Sequence, residues 1–194
     1  MKKQRLLIHT CCAPCFCYVY SLFTDDYDVT AYYYNPNISP EKEYQKRLDE
    51  LKRFFSEEDF SLIVGDYKNR QWTENIKDLK HLGEKSERCW QCYRIRLHET
   101  FCIGLEMGFD AITTSLSISP HKNALVINSI GKELESEFAI TFIEADFKKN
   151  DGFKKSTILS RQYGFYRQEY CGCIYSHLER KGPHAWPKGV KNQP

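Results

Sequence analysis

The chain has 194 residues, 41% hydrophobic and 28% charged, with a formal net charge of +2. That length suits one domain with a full core, and no stretch approaches the roughly 20 apolar residues of a membrane span. So small a net charge gives no molecule-wide footprint for nucleic acid, so phosphate contacts must come from local clusters.

Behind MKKQR, the apolar run at 6–8 is too short for a secretory signal. This predicts a cytoplasmic protein, in which nine cysteines stay reduced unless they are catalytic or hold metal. Strands are predicted at 5–9, 29–34, 60–64, 111–114 and 141–144, each short and mostly apolar or β-branched. Between them run helical stripes. Tyr44, Leu48, Leu51 and Phe55 line one helix starting near Pro40; Tyr93, Leu97, Phe101 and Leu105 line a second; Val126, Ile130, Leu134 and Phe138 line a third. Strand and helix in alternation predict an α/β fold, an open parallel sheet of about five strands with helices on both faces. Residues 1–178 form a single domain on this reading, and 179–194, rich in Lys, Pro and Gly with one acid, a mobile basic tail.

An open parallel sheet places its site at the carboxyl ends of the strands, where chain direction switches between faces. At that position, directly behind the first strand, stands CCAPC, and neither GxGxxG nor GxxxxGK[ST] occurs in the sequence. Thiols therefore occupy the place of a phosphate loop. Two more groups follow, Cys89 and Cys92 in ERCWQCYRIRL and Cys171 and Cys173 in YRQEYCGCIYS. Cys89 and Cys92 open a helix, where the dipole is expected to lower their pKa. The glycine between Cys171 and Cys173 lets the backbone bend closely around a bulky centre. Adjacent side chains in an extended segment diverge, so Cys11 and Cys12 point to two neighbouring metal centres. Soft thiolates favour iron–sulfur or zinc over hard cations. Taken jointly, the three groups predict a thiolate metal site; a catalytic dithiol at Cys89 and Cys92, or a zinc module that binds RNA, are the alternatives. Cys102 reads as a small core residue.

LLIHTCCAPC, YYYNPNISPEKEYQKRLDELKR, ERCWQCYRIRL, ITTSLSISPHKNALVINSIG, FIEADFKKNDGF and YGFYRQEYCGC occur in this order. Together they resemble the QueH family of epoxyqueuosine reductases, from about Leu6 to Ser176. The resemblance implies a cytosolic enzyme on a Rossmann-like sheet of the adenine-nucleotide-hydrolase type. Its partner is tRNA bearing epoxyqueuosine at the anticodon wobble position, whose epoxide is reduced to the cyclopentene of queuosine. It further implies a cobalamin-independent centre, a [4Fe–4S] cluster with an additional mononuclear iron, fed by an external electron donor. On that footing Cys12, Cys89, Cys92 and Cys171 are the expected cluster ligands and Cys11 and Cys173 those of the extra iron. Cys11, Cys173 and Arg167 are the expected catalytic residues. Cys15 is either a further ligand or a buried helix residue, while Cys17 and Cys102 look particular to this chain.

Polar residues beside the thiols are candidates for substrate contact: Asn35 and Asn37 behind the second strand, Lys122 and Asn123 behind the fourth, and Gln168 before the last cysteine pair. Each has an ordinary structural alternative, a turn for Asn-Pro-Asn and a helix start for Ser119-Pro120. His9 is equally a packed core residue or a proton donor. For RNA phosphates the candidates are Lys42, Lys46, Arg47, Lys52, Arg53, Arg88, Arg94, Arg96 and the tail. Tyr32, Tyr33 and Tyr34 are either core or a base-stacking surface.

Overall fold

A computed structural model describes residues 2–58 and 60–182. Five parallel strands are found among them: β1 (Gln4–His9), β2 (Tyr27–Tyr33), β3 (Ser61–Val64), β4 (Ala111–Thr114) and β5 (Thr141–Phe142), in the order β3-β2-β1-β4-β5. The predicted strands are all present. β5 is shorter than the sequence suggests, although Ile143 N still donates to Ile112 O at 2.8 Å beyond its end.

Helices α1 (Ala13–Ser21), α2 (Glu41–Glu57) and α6 (Gly152–Gln162) share one face, where Leu6, Ile8, Ala31 and Tyr33 of the central strands meet Phe16, Leu51 and Phe54. Helices α4 (Glu87–Glu106) and α5 (Ala124–Phe138) cover the other, where Leu7, Tyr32 and Ile112 meet Leu97, Phe101 and Ile130. Alternate residues of β1 thus feed opposite cores, as the period of a strand requires. Short α3 (Asn69–Asn75) and α7 (Ile174–Lys181) flank the rim. The sheet switches direction between β1 and β4, and that is where the thiol loop emerges.

The helical stripes need correction at their ends. Phe54, not Phe55, faces the core on α2; Phe55 is 44% exposed, because 3.6 residues per turn carries the stripe one position back by the fourth turn. Leu105 is likewise exposed at the last turn of α4, past the edge of β4. On α5 the buried positions are Ala124, Ile127, Ile130, Gly131 and Leu134, with Val126 and Phe138 half-buried. Ser119-Pro120 does not start that helix: Asn123 does, its Oδ1 accepting from Leu125 N at 3.0 Å and Val126 N at 3.4 Å. Tyr32, Tyr33 and Tyr34 are all buried and belong to the core.

Helix α7 runs through Lys181, and residues 183–194 of the basic C-terminal segment lie outside the described residues. No helix among the described residues is long and apolar enough to cross a membrane.

Candidate thiolate metal centre

β1 ends at His9, and the chain bends at Cys11 before α1 begins at Ala13. The bend and the first helical turn together bring Cys11, Cys12 and Cys15 onto one spot, with their Sγ atoms all within 4.8 Å of one another. Cys11 Sγ and Cys12 Sγ are 3.7 Å apart. The expectation that these neighbours diverge is therefore wrong: it holds for a strand, and Cys11 has already left one. Cys15, one turn into α1, is the third member.

The other two groups arrive from separate elements. Cys89 sits in the first turn of α4 and Cys92 one turn further; Cys173 caps α7, its Sγ accepting from Ser176 N at 3.3 Å. Cys11, Cys15, Cys89, Cys171 and Cys173 all line one cavity of about 220 Å³ at the carboxyl rim of the sheet. Cys12 lies just behind it, in contact with Gln168, and Cys92 packs with Cys173, Trp72 and Ile76 in a small apolar cluster.

Three arginines that the sequence offers to RNA do something else. Arg47, Arg88 and Arg96 are 2%, 1% and 1% exposed, which takes them out of reach of a phosphate backbone. Arg47 donates from Nε to Glu43 at 2.8 Å, and from its terminal nitrogens to the carbonyls of Cys171 at 3.1 Å and Tyr170 at 3.2 Å. It thereby fixes the last cysteine pair to α2. Gly172, at φ +119°, completes the fit, since a Cβ there would meet Arg47 and Ile38 at 3.0 Å. Arg88 ties the loop at Leu82 and Glu179 of α7 to the start of α4. Arg96 donates to Asn35 Oδ1 at 2.5 Å and to His9 Nε2 at 3.3 Å. The ring is held on both nitrogens, Nδ1 lying 2.8 Å from Thr114 Oγ1 and Nε2 also 3.2 Å from Tyr34 O. Burial, with Arg96 alongside, lowers the His9 pKa to about 3. His9 is therefore a neutral, locked core residue, not a proton donor.

Within the triad, hydrogen bonds from Cys12 and Cys15 hold the Cys11 thiol well below its ordinary value, with Lys122 and Arg96 adding to the effect against burial. The same sharing pushes Cys12 up to about 12 and Cys15 well above its usual value. Of the three, Cys11 is the one whose ionisation its neighbours favour. Cys89, expected to be lowered by the α4 dipole, is instead pushed up to about 12 by burial and by Cys171 and Cys92; Cys92 is raised by burial as well. A partial charge at a helix end does not outweigh the loss of water. This disfavours a dithiol catalyst, which needs one of the pair as thiolate. Burial pulls the Lys122 ammonium down, but Cys171, Cys11 and Tyr93 together keep its pKa above the ordinary lysine value.

Of the residues expected at the site, Lys122, Arg167 and Gln168 line the cavity with the thiols. Asn35 and Asn37 are buried at 1% exposure; Asn35 spends its amide on Thr10 O and Arg96. Asn123 is exposed at the start of α5. Cys17 is buried beside Pro14 O, and Cys102 is half-buried against His98 rather than in the core. Cys15, open from sequence, joins Cys11 and Cys12, and the three arginines expected at RNA phosphates are structural instead. Their signal was faint: Arg47 lies one residue before Leu48 on the apolar stripe of α2.

Soft sulfur donors gathered from three regions at the switch point of a parallel sheet define an α/β protein with a thiol-rich site able to bind metal. The donor set is all thiol, and the Cys11, Cys12 and Cys15 group could hold a metal ion. The model of the family described as epoxyqueuosine reductase QueH matches residues 6–179, and the chain belongs to that family. Proteins named epoxyqueuosine reductase QueH include those of Thermotoga maritima, 36% identical over 93% of this chain and 94% of that protein, and of Streptococcus pyogenes serotype M1, 35% identical over 90% and 71%. That of Acinetobacter baylyi is 37% identical over 89% of this chain and 80% of its own.

Proposed function

We propose that this chain is a cytoplasmic enzyme that reduces epoxyqueuosine in tRNA to queuosine. Opening the epoxide to an alkene consumes two electrons and two protons and releases the oxygen as water. A [4Fe–4S] cluster with an adjacent iron, when bound, supplies one-electron transfer and Lewis acidity. Cys12, Cys89, Cys92 and Cys171 would hold the cluster, and Cys11 and Cys173 the iron, with Cys15 available as a further donor. The electrons come from an external donor.

The remaining work falls to this chain's own side chains. Lys122, kept charged beside the thiols, faces the cavity and supplies a cation where negative charge develops on the departing oxygen. Exposed Arg167, Lys85 and Arg180 at the same cavity offer phosphate contacts for the flanking nucleotides. Buried Arg47, Arg88 and Arg96 keep the three cysteine-bearing segments in register, so substrate meets a preformed site.

The observation that carries this reading is the convergence of Cys11, Cys15, Cys89, Cys171 and Cys173 on one cavity. To test it, iron-reconstituted protein with a reductant is incubated anaerobically with epoxyqueuosine-containing tRNA, and the nucleosides are resolved by mass spectrometry. Queuosine is the expected product. Unchanged epoxyqueuosine, with iron and sulfide present in the protein, would overturn the proposal; zinc in their place would favour the RNA-binding module.

A further inference from the structure

We propose that Gln168 and Trp72 are positioning residues of the thiolate centre, each giving an N–H to a ligand sulfur and so setting the reduction potential of the metal group held there. The inference rests on the assignment of Cys12 and Cys92 as ligands made above. Gln168 Nε2 lies 3.0 Å from Cys12 Sγ, while its Oε1 is buried and has no partner among the described residues. The sulfur is the one hydrogen-bond partner that the described residues give this amide. An amide that leaves its carbonyl unsatisfied in order to reach a thiol is not placed for packing alone.

Trp72 packs beside a second ligand. Its ring is 2% exposed and packs with Ile76, Cys92 and Cys173. An indole nitrogen can only donate, and a buried one normally finds an acceptor. Here Nε1 has no hydrogen-bond partner among the described residues, and the sulfurs packed in the same cluster are those of Cys92 and Cys173. A metal-bound thiolate is a far better acceptor than a thiol, so the Gln168 contact strengthens when the site is filled and the buried indole N–H gains the acceptor it lacks. Each N–H withdraws charge from the sulfur it meets. Such hydrogen bonds favour the reduced state of a thiolate-ligated centre and raise its potential.

Wild type, Gln168→Leu, Gln168→Met and Trp72→Phe are loaded with iron and sulfide anaerobically, assayed for metal content, and titrated electrochemically with EPR detection, without tRNA. Each variant is expected to keep its iron and shift to a more negative potential, with the shifts adding in the Gln168→Leu/Trp72→Phe double variant because the two donors meet different sulfurs. Potentials equal to wild type at full iron content overturn the proposal. Loss of the metal group from both Gln168 variants overturns it too, since that side chain would then hold the centre and not tune it. A wild-type protein that takes up no iron instead removes the reading of the centre itself, and the proposal with it.

Discussion

His9 shows how one side chain can be mistaken for chemistry. It stands at the end of β1, two residues before the first thiol, yet it is wholly buried between Thr114 and Arg96 and stays neutral. Its depressed pKa has a measurable cost in acid. Unfolded, the imidazole takes up a proton near pH 6.5; folded, it does so only near about 3, so over that window the unfolded state binds more protons and stability falls as pH falls. From pH 6.5 to 5 the loss from this group is about 2 kcal/mol. Urea denaturation of metal-free protein at the two values reads it directly, and His9→Gln is expected to flatten the dependence. Nothing in the sequence distinguishes this histidine from a catalytic one. The deciding fact is burial, reinforced by Arg96, which lies 87 residues away and becomes its neighbour only in the fold.

Along the elements, sequence periodicity identified every strand and the three long helices but drifted at their ends. The stripe Tyr44, Leu48, Leu51 extends by eye to Phe55, whereas the turn brings Phe54 to the core, ringed by Phe16, Tyr20, Phe60 and Phe165. Truncating the two rings separates the alternatives. Phe54→Ala should lower stability by about 3–5 kcal/mol and Phe55→Ala by less than about 1 kcal/mol, read from chemical denaturation midpoints. Equal losses would mean that α2 is rotated relative to the sheet. Arg47 was illegible for a related reason. A lone arginine on a helix otherwise studded with charge reads as solvated, and only the carbonyls of Tyr170 and Cys171, brought back more than 120 residues later, give it a buried role.

For the molecule as a whole, the site was legible as a set of cysteines and illegible as a geometry. Spacing announced three thiol groups, and the α/β pattern announced the rim where they meet, but the pairing of Cys11 with Cys12 and Cys15 depends on a bend that sequence does not report. The same burial divides the basic residues into two populations. Arg47, Arg88 and Arg96 are inside, while Arg167 stands exposed at the cavity. Binding of tRNA, measured as affinity against salt concentration, is therefore expected to lose about one unit of log–log slope in Arg167→Ala, the signature of one phosphate contact removed. An unchanged slope would put the RNA elsewhere on the surface.

The distance along the chain between Cys11 and Cys173 has a consequence for birth rather than for turnover. A ribosome adds roughly 5–20 residues each second, so the leading thiols emerge about 10–30 seconds ahead of the trailing pair. Throughout that wait Cys11, Cys12 and Cys15 stand without the sulfurs that the later segments bring to the same cavity. A metal group held by all three thiol regions can therefore be loaded only onto the finished chain.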